Sequence, residues 1–395
     1  MSLDRREFLE QSAQVLGMTA AVAQVARTAS GATHPARQVA EAVIPEVAWV
    51  SPVAHRVFQR RGFDPRHAHD HAEGGPRRGG ADLELAWKAS QGDQPVWQAR
   101  VVPLPGAFGV ATEWISLETT LQEETLRARL HVEAGGWYRL ELRGVVGTTT
   151  LVQGALEPVG VGEVFVVAGQ SYAEGANDEL LKVGEVAGRV AALDVESGTW
   201  QVAHDPQPHR GAGGTIWPPL GDLLVPLLQV PVGFVNVAVG GTAIRQWLPG
   251  ESLYSGLLAG ARRAGDFRAV LWQQGESDVI EKTTTEVYCK RLRTLRSAFA
   301  REAGSSAPWL LAKSTLHPTV YNDPVGEGRI RQAIELLWDE PGFARGPDTD
   351  QLNGDNRGGL GTRRHFTGIG QRRAALLWFA ALWTELQHPP AKAAK

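Results

Sequence analysis

The sequence predicts an α/β protein: a three-layer α/β/α sandwich with a mostly parallel sheet, preceded by a small β-sandwich domain. Three observations carry this reading. From residue 161 onward, short apolar runs that end in glycine or polar residues alternate with helical stretches, as expected of buried parallel strands joined by crossover helices. From Glu46 to about Glu157 the rhythm is instead period-two, with Gly, Pro and Asp between the runs, as in antiparallel strands with one buried face. Six or seven such runs in about 110 residues suit a small sandwich.

The composition sets outer limits. The 395 residues are 43% hydrophobic and 21% charged, so the chain can bury a core without covalent staples. A net charge of -3 gives no electrostatic footprint for nucleic acid or an anionic membrane. The single cysteine, Cys289, excludes an intramolecular disulfide, and its helical neighbourhood reads as a packed or surface thiol. Thirteen tryptophans are compatible with sugar-stacking surfaces, but large core side chains are the plainer reading.

Element by element, the N-terminus comes first. Arg5-Arg6-Glu7-Phe8-Leu9 precedes a mildly apolar stretch from about Ser12 to Val25, and small residues follow. Paired arginines in this setting resemble a twin-arginine export signal, so residues 1–30 are set aside as a processing segment. The stretch is too short and polar to span a bilayer, which needs about 20 apolar residues. The expectation is an exported protein, periplasmic or extracellular, with no membrane association after processing.

The proposed β domain covers 45–158, with runs such as Val47–Val50, Leu83–Trp87, Trp97–Val102 and Trp137–Leu142. Ala134-Gly135-Gly136 signals a turn ahead of the Trp137 strand. His67, His69 and His71 alternate as metal ligands could, but they sit among Gly74, Gly75, Gly79 and Gly80, so a loop is expected rather than a metal site. The second domain covers 159–388. Its apolar runs are Val164–Ala168, Gly233–Val239, Ala269–Trp272 and Trp309–Ala312, and its helices include Ser252–Gly265, Thr284–Glu302 and a last helix near Ile369–Gln387.

Functional groups of open α/β sheets gather at the carboxyl edge of the strands. Three apolar runs lead into polar motifs there: Gly169-Gln170-Ser171, Gly240-Gly241-Thr242 and Trp272-Gln273-Gln274-Gly275-Glu276-Ser277-Asp278. A fourth motif, Arg364-His365-Phe366-Thr367-Gly368, precedes the final helix. A serine on a glycine-preceded strand-to-helix turn can expose its hydroxyl and aim its own N–H at an oxyanion. Paired glycines allow close backbone approach, and amides with carboxylates at the end of an apolar strand are costly unless paired or functional. Each motif alone is weak, and a plain turn or a structural histidine would explain it.

Together, and in this order, the four resemble the SGNH hydrolase superfamily, and within it the sialate O-acetylesterase and acetylxylan-esterase branch. The resemblance covers about 160 to 388. It implies no cofactor and no metal, and it implies Ser171 as nucleophile and His365 as general base. It further implies oxyanion donors from the backbone of Ser171, the backbone of Gly241 and the side chain of Gln274. The β-rich first half also resembles the accessory domain that often precedes such catalytic domains.

Three positions depart from the family pattern. Tyr172 stands where the family has Asn and, with Trp247, is a candidate for substrate contact. Gln273 stands where the family has His. Thr362 stands where the superfamily often has the triad Asp. Glu276 is the preferred replacement acid, with Asp350 or Asp355 as alternatives.

The function expected from the resemblance is a serine esterase that removes O-acetyl groups from a sialate- or xylan-type carbohydrate through an acyl-enzyme. Two alternatives stand beside it. One is a catalytically impaired glycan-binding protein using Trp217, Trp247 and β-domain tryptophans as stacking faces. The other is an esterase or lipase for non-sugar esters, although no long apolar lid is evident. The sugar, the acetyl position and the oligomeric state are not legible.

Overall fold

The computed structural model describes residues 44–63, 78–88, 95–358 and 364–387. The expected export segment, the His67–His71 stretch and Thr362 lie outside these residues.

The first strands are β1 (Trp49–Ser51), β2 (Val57–Gln59), β3 (Gly80–Lys88), β4 (Val96–Phe108), β5 (Ile115–Ser116), β6 (Thr120–Gln122), β7 (Thr125–Glu133), β8 (Gly135–Val146) and β9 (Thr149–Gly169). β1, β3, β7 and β6 form an antiparallel sheet. β4 pairs with β5 and β8, and β8 pairs with β9, all antiparallel. The period-two pattern explains how these layers pack. Leu83, Leu85 and Trp87 of β3 and Leu130 and Val132 of β7 share one buried cluster with Trp97, Ala99 and Val101 of β4 and Leu140 and Leu142 of β8. The intervening Glu84 and Arg129 face solvent and pair with each other.

β9 is 21 residues long and runs without a break through the position where the sequence rhythm changes. Its first half pairs with β8. Its second half is the centre of a sheet in the order β11-β10-β12-β9-β13-β14-β15. Here β10 is Val190–Leu193, β11 Trp200–Val202, β12 Val232–Asn236, β13 Ala269–Gln273, β14 Trp309–Lys313 and β15 Phe343–Asp348. β10–β12, β12–β9, β9–β13, β13–β14 and β14–β15 are parallel, whereas β11 is antiparallel at the edge. Of the ladders that join the first half to β9, β8–β9 is antiparallel and β2–β9 parallel, so the assembly as a whole is mixed.

The helices are α1 (Ser171–Glu174), α2 (Trp217–Leu228), α3 (Ser252–Ala264), α4 (Glu276–Ile280), α5 (Thr285–Ala303), α6 (Pro324–Trp338) and α7 (Gly368–Gln387). Strand parity sorts the core into two layers. Phe165 and Val167 of β9, Phe234 of β12, Leu271 of β13 and Leu310 of β14 join a cluster with Leu220 of α2 and Trp378 of α7. Their neighbours Val164, Val166, Val235, Val270, Trp272 and Leu311 join another with Leu257 of α3, Leu292 of α5 and Ile334 of α6. Continuous apolar runs are what a strand covered on both faces requires. Each such fully buried side chain contributes about 1.5–3 kcal/mol relative to exposure.

At the amino end of this sheet a buried charge cluster ties β2 to β9. Glu163 Oε1 accepts from Arg60 Nε at 2.7 Å, and Glu163 Oε2 accepts from Arg268 Nε at 2.7 Å and Gln59 Nε2 at 2.9 Å. Although burial works against ionisation, the two guanidiniums and these hydrogen bonds hold the carboxyl down at about 2. The opposite, carboxyl edge is where the polar motifs collect.

Candidate active site

Gly169 ends β9 with φ +134°, and a Cβ there would lie 2.0 Å from the Gln273 carbonyl oxygen. Only glycine fits this bend between β9 and β13. Gln170 follows, donating its N–H to Gln273 O at 2.9 Å and accepting at Oε1 from Gly275 N and Ser277 N. Ser171 then opens α1. Its Oγ lies 2.9 Å from His365 Nε2, across 194 positions of sequence. The β9 end and the segment ahead of α7 are thus brought into one site, and the two principal residues of the motif reading meet.

The His365 segment is fastened on several sides. Phe366 N donates to Asn177 Oδ1 at 3.2 Å, and Asp178 N donates to Phe366 O at 3.0 Å. The Tyr172 hydroxyl bonds the Arg364 carbonyl, lies 3.2 Å from the Leu316 carbonyl and accepts from Arg357 Nη1. The Tyr172 ring stands edge-on to His365 with centroids 5.0 Å apart. Tyr172 is completely buried, which corrects its expected place as a substrate contact: it holds the segment carrying the histidine. Trp247 is also fully buried, edge-on to Trp272 with Nε1 donating to Thr242 Oγ1 at 3.0 Å, and so offers no face to a sugar. Trp217, weighed as a stacking face, is core as well.

The Gly240-Gly241-Thr242 turn lies beside the serine. The Gly240 N–H is taken by Glu174 Oε2 at 2.9 Å. The Gly241 N–H has no acceptor among the described residues, and Gly241 is exposed with φ +70°, a conformation that favours glycine. The Ser171 N–H likewise has no acceptor among the described residues. These two amides are available to a developing oxyanion.

Gln274 is placed differently from its expected oxyanion role. It is fully buried, and Nε2 donates to Asp278 Oδ2 at 2.7 Å and Thr242 O at 3.1 Å, with Gln170 Oε1 at 3.3 Å. Both of its N–H bonds are occupied inside the protein. Asp278 accepts in addition from Ile244 N at 2.8 Å and Thr283 Oγ1 at 2.7 Å. The amide and carboxylate of this motif therefore clamp the glycine turn from behind.

No carboxylate hydrogen-bonds His365 among the described residues. Glu276, the preferred acid, is fully buried, with Oε1 accepting from Ser314 Oγ at 2.6 Å and Oε2 unpartnered among the described residues. Burial pushes its carboxyl up to about 8, so its proton is retained well above the usual carboxylate range. Asp350 is committed to Thr315 N, Leu316 N, Thr315 Oγ1 and Arg331 Nη1. Asp355 enters the local structure through its carbonyl, which accepts from Thr367 Oγ1 at 2.8 Å. Burial, Arg364, His317 and Arg357 push His365 down to about 4, so its ring is neutral at neutral pH.

Residues not singled out from the sequence also line the site. Glu174, Arg357 and His317 are each next to a member of it. For His317 a signal was present: Lys313-Ser314-Thr315-Leu316-His317 is a polar block that follows an apolar strand. For Arg357 there was none.

This geometry coincides with a family match. Residues 161–316 match the family described as carbohydrate esterase, sialic acid-specific acetylesterase. The matched stretch holds three of the four motifs and ends before His365, and the family is one of carboxylic ester hydrolases. A stretch of 61 residues is 41% identical to an Arabidopsis thaliana protein called a probable carbohydrate esterase, covering 14% of this chain and 24% of that relative. The chain therefore spans about a quarter of the curated relative it matches. A carbohydrate acetylesterase from Xanthomonas citri shares the fold at TM-score 0.51 and 16% identity, over 85% of this chain and 74% of that one. An Arabidopsis thaliana structure is similar over 57% of this chain and 98% of its own, with TM-score 0.46 and 21% identity.

Proposed function

We propose that the protein is a serine esterase that removes O-acetyl groups from a carbohydrate of the sialate or xylan type. The observation that carries this is the 2.9 Å contact between Ser171 Oγ and His365 Nε2 at the carboxyl edge of the sheet. Ser171 Oγ attacks the acetyl carbonyl carbon while His365 Nε2 takes the hydroxyl proton. The carbonyl oxygen becomes an oxyanion held by the N–H groups of Ser171 and Gly241. Collapse breaks the bond to the sugar oxygen, which leaves as the alcohol with the proton from His365. Water, deprotonated by His365, then attacks the acetyl-Ser171 ester, and acetate leaves as Ser171 regains its proton.

The chain's own features favour this reading over an impaired glycan binder. The serine–histidine contact is intact, and the tryptophans proposed to stack on a glycan, Trp217 and Trp247, are buried. We further propose an export segment over residues 1–30, a β-sandwich accessory domain over 45–158 and an esterase domain over 159–388. Export places the enzyme where polymeric or scavenged acetylated sugars occur.

The test is hydrolysis measured as acetate released from acetylated xylan and O-acetyl sialic acid, and as fatty acid released from a long-chain acyl ester. Release from the acetylated sugars, and much slower turnover of the long chain, is the expected result. Preference for the long-chain ester overturns the carbohydrate assignment while leaving a serine esterase in place.

A further inference from the structure

Ser171 lies against Nε2 of His365, so the neutral base that accepts the serine proton carries its own proton on Nδ1. In serine esterases a third group normally accepts that proton's hydrogen bond and fixes the ring. None of the three candidate carboxylates does so among the described residues, and residues 359–363, just ahead of His365, contain no Asp or Glu.

The His317 ring lies near that of His365. His317 follows β14 on the loop that also carries Leu316, which Tyr172 and Arg357 hold. It is 9% exposed, and both ring nitrogens are buried with no hydrogen-bond partner among the described residues. Burying two such nitrogens unpaired is unfavourable, so a structural role alone leaves the residue unexplained. Its ring is 6.2 Å from that of His365, centroid to centroid, at 65°. That separation is one bridging water, or a small side-chain adjustment, from a hydrogen bond.

We propose that His317 is a positioning residue for His365: it accepts the Nδ1 hydrogen bond that a carboxylate accepts in other serine esterases, giving a Ser171–His365–His317 array. The proposal rests on the esterase reading above. The groups facing His317 suit an acceptor. Arg364 and Arg357 lie near it, Tyr321 stands edge-on with centroids 5.7 Å apart, and no carboxylate hydrogen-bonds it among the described residues. Burial and the two guanidiniums push His317 down to about 4, so it stays neutral and keeps one lone-pair nitrogen. No proton is transferred to it: His365 keeps the Nδ1 proton throughout, and His317 keeps the proton on its other nitrogen.

The experiment measures how fast a fluorophosphonate ester labels Ser171 in the full chain, which reads serine nucleophilicity without requiring the natural sugar. The variants are His317→Ala, His317→Gln, His365→Ala and the double His317→Ala/His365→Ala, each checked by thermal melting. The expected result is labelling slowed about a hundredfold by His317→Ala, as for loss of a positioned geometry. The amide of His317→Gln, which can still accept, should restore part of that rate. The double variant should label no more slowly than His365→Ala, because His317 acts through His365. Labelling of His317→Ala at the wild-type rate overturns the proposal. So does a double variant that labels about a hundredfold more slowly than His365→Ala. If His317→Ala does not fold, His317→Gln decides, since full loss of labelling in a folded glutamine variant contradicts an acceptor role. Wild-type chain that never labels removes the esterase reading itself, a result distinct from the others.

Discussion

The Glu174 carboxylate accepts the Gly240 N–H at 2.9 Å, one turn of helix beyond the serine. This contact fixes the glycine turn so that the next amide, Gly241, is the one left free. Burial raises the Glu174 carboxyl, while the Gly240 N–H and Arg210 oppose that shift. Glu174→Ala should release the turn and lower kcat by about tenfold to a hundredfold, with KM changed far less, as for a partly lost oxyanion donor. Steady-state kinetics on an aryl acetate check this, and an unchanged kcat would show that Gly241 needs no such support.

His365 must be neutral to accept the serine proton. Its pKa is lowered to about 4, first by burial and then by Arg364, His317 and Arg357. Protonation therefore removes activity only as pH falls through about 4. The profile of kcat/KM should be flat from neutral pH down to about pH 5, where an unperturbed histidine, near 6.5, would already be charged. An acid limb centred between pH 6 and 7 would contradict this.

Glu276 carries the opposite shift, to about 8, from burial. The folded state holds this proton between the usual carboxyl pKa and about 8, whereas the unfolded state has lost it. The folded state thus binds more protons in that window, and stability falls as pH rises from about 4.5 to about 8. Glu276→Gln removes the ionisation. Melting temperatures of variant and wild type should diverge in the variant's favour with rising pH, by on the order of a few degrees at pH 8. Equal pH slopes for both proteins would mean that Glu276 is ionised in the fold, as a triad acid must be.

Tyr172→Phe keeps the buried ring but loses the hydroxyl between Arg357 and the carbonyls of Arg364 and Leu316. The expected cost is about 1–3 kcal/mol, since the guanidinium loses an acceptor in a dry site. Tyr172→Asn empties a packed aromatic position and should cost about 3–5 kcal/mol. Denaturant unfolding measures both. A neutral Tyr172→Asn would show that the pocket refills with little loss.

The sequence was most legible where one strong pattern acts alone. The runs at Val164, Ala269 and Trp309 became strands because continuous apolar stretches need cover on both faces, and Ser171 and His365, singled out through the family resemblance, lie 2.9 Å apart. Side-chain direction was not legible. Tyr172 and Trp247 are aromatic residues near a motif, and only packing decides whether such rings face a sugar or the core. Gln274 reads as a donor, yet Asp278 four residues on captures it. The continuity of β9 across the change of rhythm was hidden as well, because its two halves meet different neighbours and so follow different patterns.

The central claim is that Ser171 forms an acetyl-enzyme with His365 as base. The most direct measurement is mass spectrometry of the chain quenched during turnover of an aryl acetate, beside Ser171→Ala. The account predicts one added acetyl group on the peptide containing Ser171, and neither that adduct nor acetate release in Ser171→Ala. Acetate release that persists in a folded Ser171→Ala would contradict it.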